Sequence, residues 1–214
     1  MRALKPTLIR RAAGACCLTL TAACAFGFDV VKNINSGKPQ VAFVLFDKAS
    51  NTPELELKST PGGEVKRTAD GSIDFHLTGN GAANPTVSWK AAGDVPATFN
   101  AADYSGMLVT CRFEGVMHRK FGNKIIDQSG DNLWLSLSLI NNKGESVGLA
   151  NPADITDDRK SPRETTELFI PMLYFVRPGF DSTHISAFGF PVIAGRPEND
   201  RDFHVIIEKI ALVR

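Results

Sequence analysis

Trp134 lies in Asn132-Leu-Trp-Leu-Ser-Leu-Ser-Leu-Ile140, where leucines at 133, 135, 137 and 139 alternate with Trp134, Ser136, Ser138 and Ile140. Side chains alternate across a strand, so the leucines read as a core face and the indole is expected on the opposite side, beside two hydroxyls. A flat apolar ring bordered by hydrogen-bonding groups suits a saccharide: the C–H face of the sugar stacks on the ring and its hydroxyls pair with polar neighbours. Arg112, in Gly106-Met-Leu-Val-Thr-Cys-Arg-Phe113, opposes Met107, Val109, Cys111 and Phe113. If its strand neighbours that of Trp134, its planar fork reaches the same face, where it suits a pair of hydroxyls or a carboxylate. A solvated or ion-paired arginine is the plainer alternative. Tyr174 shares a parity with Ile170 and Met172 and reads as a core position with its hydroxyl at the rim. The expected ligand-binding set is therefore Trp134, Arg112, Ser136, Ser138 and Tyr174. Trp89, flanked at plus and minus two by Val87 and Ala91, reads as core.

Other chemistries find less support. His76, His118, His184 and His204 make no H-x-H, H-E-x-x-H or C-x-x-C spacing, so zinc is not expected. His204 and Glu208 share a strand parity but would stand about 13 Å apart. No nucleophile elbow, phosphate loop or dinucleotide fingerprint occurs. Asp127, Asp131, Asp154, Asp157 and Asp158 crowd two loops; a pair of them could serve a glycosidase, but solvated or calcium-binding loops are the commoner fate of such residues. A noncatalytic chain without a cofactor is expected.

The elements that must position these groups are strands. Short β-branched and aromatic runs alternate with Gly, Pro, Asn and Asp clusters. About nine strands are expected, over 40–46, 55–59, 72–77, 86–90, 106–113, 132–140, 168–176, 183–192 and 203–213. No window sustains a helical period beyond two turns, and 97–104 is at most a helical turn. In the last run, Phe203, Val205 and Ile207 share one parity while Ile210 and Leu212 continue on the other, which predicts a bulge near Glu208-Lys209. The Asp-, Pro- and Arg-rich stretch 148–166 reads as a long surface loop.

Three segments resemble one superfamily: Asn100-Ala-Ala-Asp-Tyr-Ser-Gly106 leading into the strand to Gly115, Leu168-Phe-Ile-Pro-Met172, and His184 to Phe190 followed by Phe203 to Leu212. They are similar to the central, edge and final paired strands of galactose-binding-like jelly rolls, the fold of many noncatalytic carbohydrate-binding modules. The sandwich of the complex I intermediate-associated protein type shares the pattern. The resemblance implies a single all-β jelly-roll sandwich over 41–214 and a saccharide or glycan partner. Members that hold a structural calcium close with Asp before the final Ile; Glu208 stands there instead, so no motif supports calcium.

The N-terminus carries Arg2, Lys5, Arg10 and Arg11 without an acid, followed by the small apolar run 12–25. This is the pattern of a signal peptide over 1–25, with 26–40 as a lead into the domain and an exported product, periplasmic or extracellular. Ala23-Cys24-Ala25 fits a cleavage site, whereas Thr21-Ala22-Ala23-Cys24 approaches a lipid box, so a Cys24-anchored envelope protein that binds another protein is the alternative. Of 24 cationic and 23 acidic residues, removing 1–25 leaves 20 against 23, a formal charge of −3. With no basic stripe, nucleic acid is not an expected partner, and a membrane is met only through a lipid anchor. Cys111 is the one cysteine beyond residue 24, so no disulfide forms within the domain, and it reads as a small buried hydrophobe.

Overall fold

Alternation governs the long strands. In the computed structural model, Met107, Val109, Cys111 and Phe113 are all buried, as are Phe203, Val205 and Ile207, while Arg112, Glu114 and His204 point the other way and are partly or fully exposed. The structure describes residues 40–50, 54–93, 95–121, 124–127, 137–149, 163–192 and 200–214, with backbone alone at 116–121, 124–127, 149 and 200.

Among these residues twelve strands form two antiparallel sheets: β1 Val41–Asp47, β2 Leu55–Lys58, β3 Gly63–Arg67, β4 Ile73–Thr78, β5 Thr86–Trp89, β6 Gly106–Phe121, β7 Lys124–Asp127, β8 Leu137–Asn141, β9 Ser146–Leu149, β10 Thr166–Pro171, β11 Ile185–Gly189 and β12 Asp200–Val213. The seven-stranded sheet is built on β6 and β12, which pair along nearly their whole lengths. β10 and β7 lie end to end along the free side of β6, β1 and β4 do the same along β12, and β3 flanks β4. The five-stranded sheet runs β2-β5-β11-β8-β9.

The inner faces of the two sheets meet in one hydrophobic core. Phe75 of β4 packs against Phe188 of β11 and against Phe190, with ring centroids 6.0 and 4.8 Å apart. Such aromatic pairs add about 0.5–1.5 kcal/mol each beyond the area they bury. Trp89 is buried as expected, stacks on Phe99, and its indole N–H donates to the Pro96 carbonyl at 3.1 Å. Buried Cys111 is free, and burial pushes its thiol up to about 12.

The all-β sandwich agrees with the reading of the sequence, and so does the bulge: the β6–β12 register shifts between Ile207 and Lys209. The helical turn before β6 is a single 3-10 turn, Ala101–Asp103, capped by the Asn100 side chain accepting from the Ala102 N–H. Two expectations need correction. Nine strands become twelve, because β3, β7 and β9 are short, and β3 and β9 are sheet edges whose charged or glycine-bearing sequences show no apolar alternation. The strand expected over 168–176 stops at Pro171, after which Met172–Tyr174 forms a 3-10 turn; proline has no N–H with which to continue the ladder.

Candidate functional site

The outer face of the seven-stranded sheet carries a cross-strand grouping of polar side chains. The pairing of β3, β4, β12 and β6 sets Glu64, His76, His204 and Glu114 side by side in one cross-strand row. The adjacent row is Lys66, Asp74, Ile206 and Arg112. All eight share the parity opposite the core residues of their strands, since Val65, Phe75, Val205 and Phe113 between them are buried inward.

The two imidazoles stack, centroids 4.0 Å apart and planes 8° from parallel. Each is tied to a carboxylate. His204 Nδ1 lies 2.8 Å from Asp74 Oδ1 and 3.1 Å from Oδ2, and His76 Nε2 lies 2.7 Å from Asp202 Oδ1. Asp74 is 6% exposed and Asp202 projects into solvent. The bond from His76 holds the Asp202 carboxyl below the usual carboxylate range. One potential ligand atom from each of His76, Asp202 and His204 falls within 4.8 Å of the other two.

Beside this cluster, Arg112 Nε donates to Glu114 at 2.7 Å and Nη1 to Glu208 at 3.1 Å. Glu208, which stands at the bulge, also accepts from Lys48 at 2.8 Å and Thr165 at 3.0 Å. The Lys48 bond is the leading reason its carboxyl sits below the usual range, with Thr165 and the nearby Arg112 charge adding to it. Glu208 is thus engaged by cationic and hydroxyl donors.

Of the residues expected from the sequence to bind ligand, Arg112 and Ser138 do not share a platform. Arg112 is half-buried on β6 of the seven-stranded sheet, while Ser138 is on β8 of the five-stranded sheet, so their strands are not neighbours. Ser138 does oppose Leu137 and Leu139 in parity, but it is 1% exposed, and its hydroxyl donates to the Gly189 carbonyl at 3.4 Å. The outer surface of β8 is covered there, which alternation alone does not reveal. Tyr174 is partly buried in its 3-10 turn, packed against the core, and its carbonyl accepts from Arg177 Nε at 3.1 Å. Trp134 and Ser136 lie outside the described residues, as do Cys24 and the expected signal peptide.

The histidine pair escapes sequence reading because its members are joined by strand pairing alone. His204 and its partner Asp74 are 130 residues apart in the chain. The available signal is the matched parity of Asp74-Phe-His76 and Asp202-Phe-His204, two D-F-H triplets that alternate alike and whose terminal histidines meet across the β4–β12 ladder.

No family model matches the chain, and no curated protein does. Among solved structures it is similar to a mutant of a family 29 carbohydrate-binding module, at 13% identity and a TM-score of 0.45, over 79% of this chain and 89% of that one. It is also similar to a family 30 carbohydrate-binding module, at 11% identity and a TM-score of 0.49, over 80% and 98%. The likeness is one of fold.

Proposed function

We propose that the chain is an exported, noncatalytic binding domain that holds a saccharide on the outer face of the seven-stranded sheet. One observation carries this reading: Arg112, Glu114, His76, His204 and Glu64 stand on a single sheet face as adjacent hydrogen-bonding groups, with little apolar surface between them. Sugar hydroxyls both donate and accept, and vicinal pairs suit a planar guanidinium and a carboxylate. Asp202 and Glu208 are pushed toward ionisation by their donors, chiefly His76 and Lys48. Ionised carboxylates accept hydrogen bonds from hydroxyls.

A glycan array with the mature chain tests this, read beside Arg112→Ala and Glu114→Gln. The wild type is expected to retain a saccharide saturably, and each variant, with its melting temperature checked, to bind at least about tenfold more weakly, a loss of 1.4 kcal/mol. No retained glycan, or retention that both variants preserve, overturns the proposal.

A further inference from the structure

The geometry points to a second capability of the same face: His76, Asp202 and His204 form a binding site for a zinc-like, late first-row divalent cation. The inference stands independently of the saccharide reading, because it rests on donor chemistry and is tested without glycan.

Three observations carry it. First, the antiparallel register places His76 directly opposite His204, with Asp202 two residues before His204 on the same face. One donor atom from each falls within a common 4.8 Å. Bonds of about 2.0–2.2 Å to a tetrahedral ion bring donors to roughly 3.3 Å from one another, so closure asks for modest side-chain rotation, and Asp202, with 71% of its side chain exposed, is free to make it.

Second, the site has a built second layer. Buried Asp74 sits on His204 Nδ1 at 2.8 Å. With Asp74 occupying Nδ1, Nε2 is the ring nitrogen of His204 that remains for a metal. A carboxylate behind a histidine is the arrangement that orients metal-binding imidazoles and raises their basicity. Third, Glu64 and Glu114 bracket the two histidines in the same row, putting carboxyl oxygens at either end of the site, each held by a cation of the adjacent row, Lys66 at 3.4 Å and Arg112 at 2.7 Å.

Two imidazoles and one carboxylate are borderline-soft donors that select zinc, copper, nickel or cobalt over calcium and magnesium, which take oxygen ligands. Three protein ligands leave a position for water or for the oxygen of a bound molecule. The stacked rings must splay for their lone pairs to converge on one ion, so metal binding separates them.

Titration calorimetry with zinc chloride on the full chain, carrying Cys16, Cys17 and Cys24 replaced by serine so that thiolates do not compete, is the test. One equivalent of zinc is expected to bind. His76→Ala and His204→Ala should each abolish the titration or weaken it more than Asp74→Asn does, and Asp74→Asn should weaken it by about tenfold or more. His184→Ala should leave it unchanged. Nitrogen-15 NMR of the imidazoles reads the same event at the ring nitrogens, so a variant that loses stability does not decide the matter. No zinc binding, binding that the His76→Ala/His204→Ala double variant retains, or binding of calcium and magnesium in preference to zinc would overturn the inference.

Discussion

His204 lies flat against His76 at a centroid distance of 4.0 Å because buried Asp74 grips its Nδ1 from the next strand. The stack therefore depends on a carboxylate that touches only one of the two rings. Asp74→Ala is expected to release the His204 ring and to cost about 1–3 kcal/mol, the range for a hydrogen bond to a charged group. Urea unfolding measures the cost, and ring-current shifts of the two imidazoles report the loss of stacking.

Acid should loosen the sheet at its bulge. The folded pKa of Glu208 lies below the 4.5 of the free side chain, chiefly through its bond from Lys48. Its stabilising contribution is therefore complete above 4.5 and is lost as pH falls through the lower folded value. Glu208→Gln removes this linkage, so the acid limb of its stability profile, followed by urea midpoints between pH 6 and pH 2, should be shallower than that of the wild type.

Gly115 has φ of +95°, and a Cβ built there would come within 2.2 Å of the Asp202 carbonyl oxygen and 2.6 Å of the Phe203 Cα. Both atoms belong to the backbone of β12, which cannot step aside alone. Gly115→Ala is expected to destabilise the fold by about 3 kcal/mol, from strained backbone and overpacking together. Thermal and urea unfolding should agree on the loss.

Ser138→Ala removes a buried hydroxyl that bonds the Gly189 carbonyl. A cost of about 1 kcal/mol is expected, with glycan retention unchanged. An array signal that falls with this variant, at unchanged melting temperature, would return Ser138 to the ligand contacts.

Cys111 should resist thiol reagents until the chain unfolds. Burial holds its thiol near 12, leaving little thiolate to react. Iodoacetamide labelling located by peptide mass spectrometry should find residue 111 unmodified in the folded protein and modified in urea.

The architecture is largely legible in the residues. The parity of Met107, Val109, Cys111 and Phe113 against Arg112 fixes which way β6 faces, and the broken parity at Glu208-Lys209 announces a bulge that pairing confirms. Sheet membership is not legible. Nothing local to Arg112 or Ser138 says that β6 and β8 go to opposite sheets, since that depends on pairings between residues far apart in the chain. The same limit hides the histidine pair: Asp74-Phe-His76 and Asp202-Phe-His204 each look like an ordinary strand with a polar outer face, and only their register makes a cluster of them. The edge strands β3 and β9 escape because edges are selected for charge and brevity, which erases the apolar rhythm by which strands are recognised.

β12 is the hinge pin of assembly. Among the described strands it alone joins β6, with β10 and β7 attached, to β1 and to β4 with its neighbour β3. Before it docks, a nascent polypeptide holds two fragments of that sheet and the lone strand β1, all with raw flanks, and the partnership of Val41 with Val213 spans nearly the entire described chain. Maturation is consequently a late, long-loop event, expected on the millisecond-to-second scale, during which a holding chaperone would have exposed β-ribbon to shield.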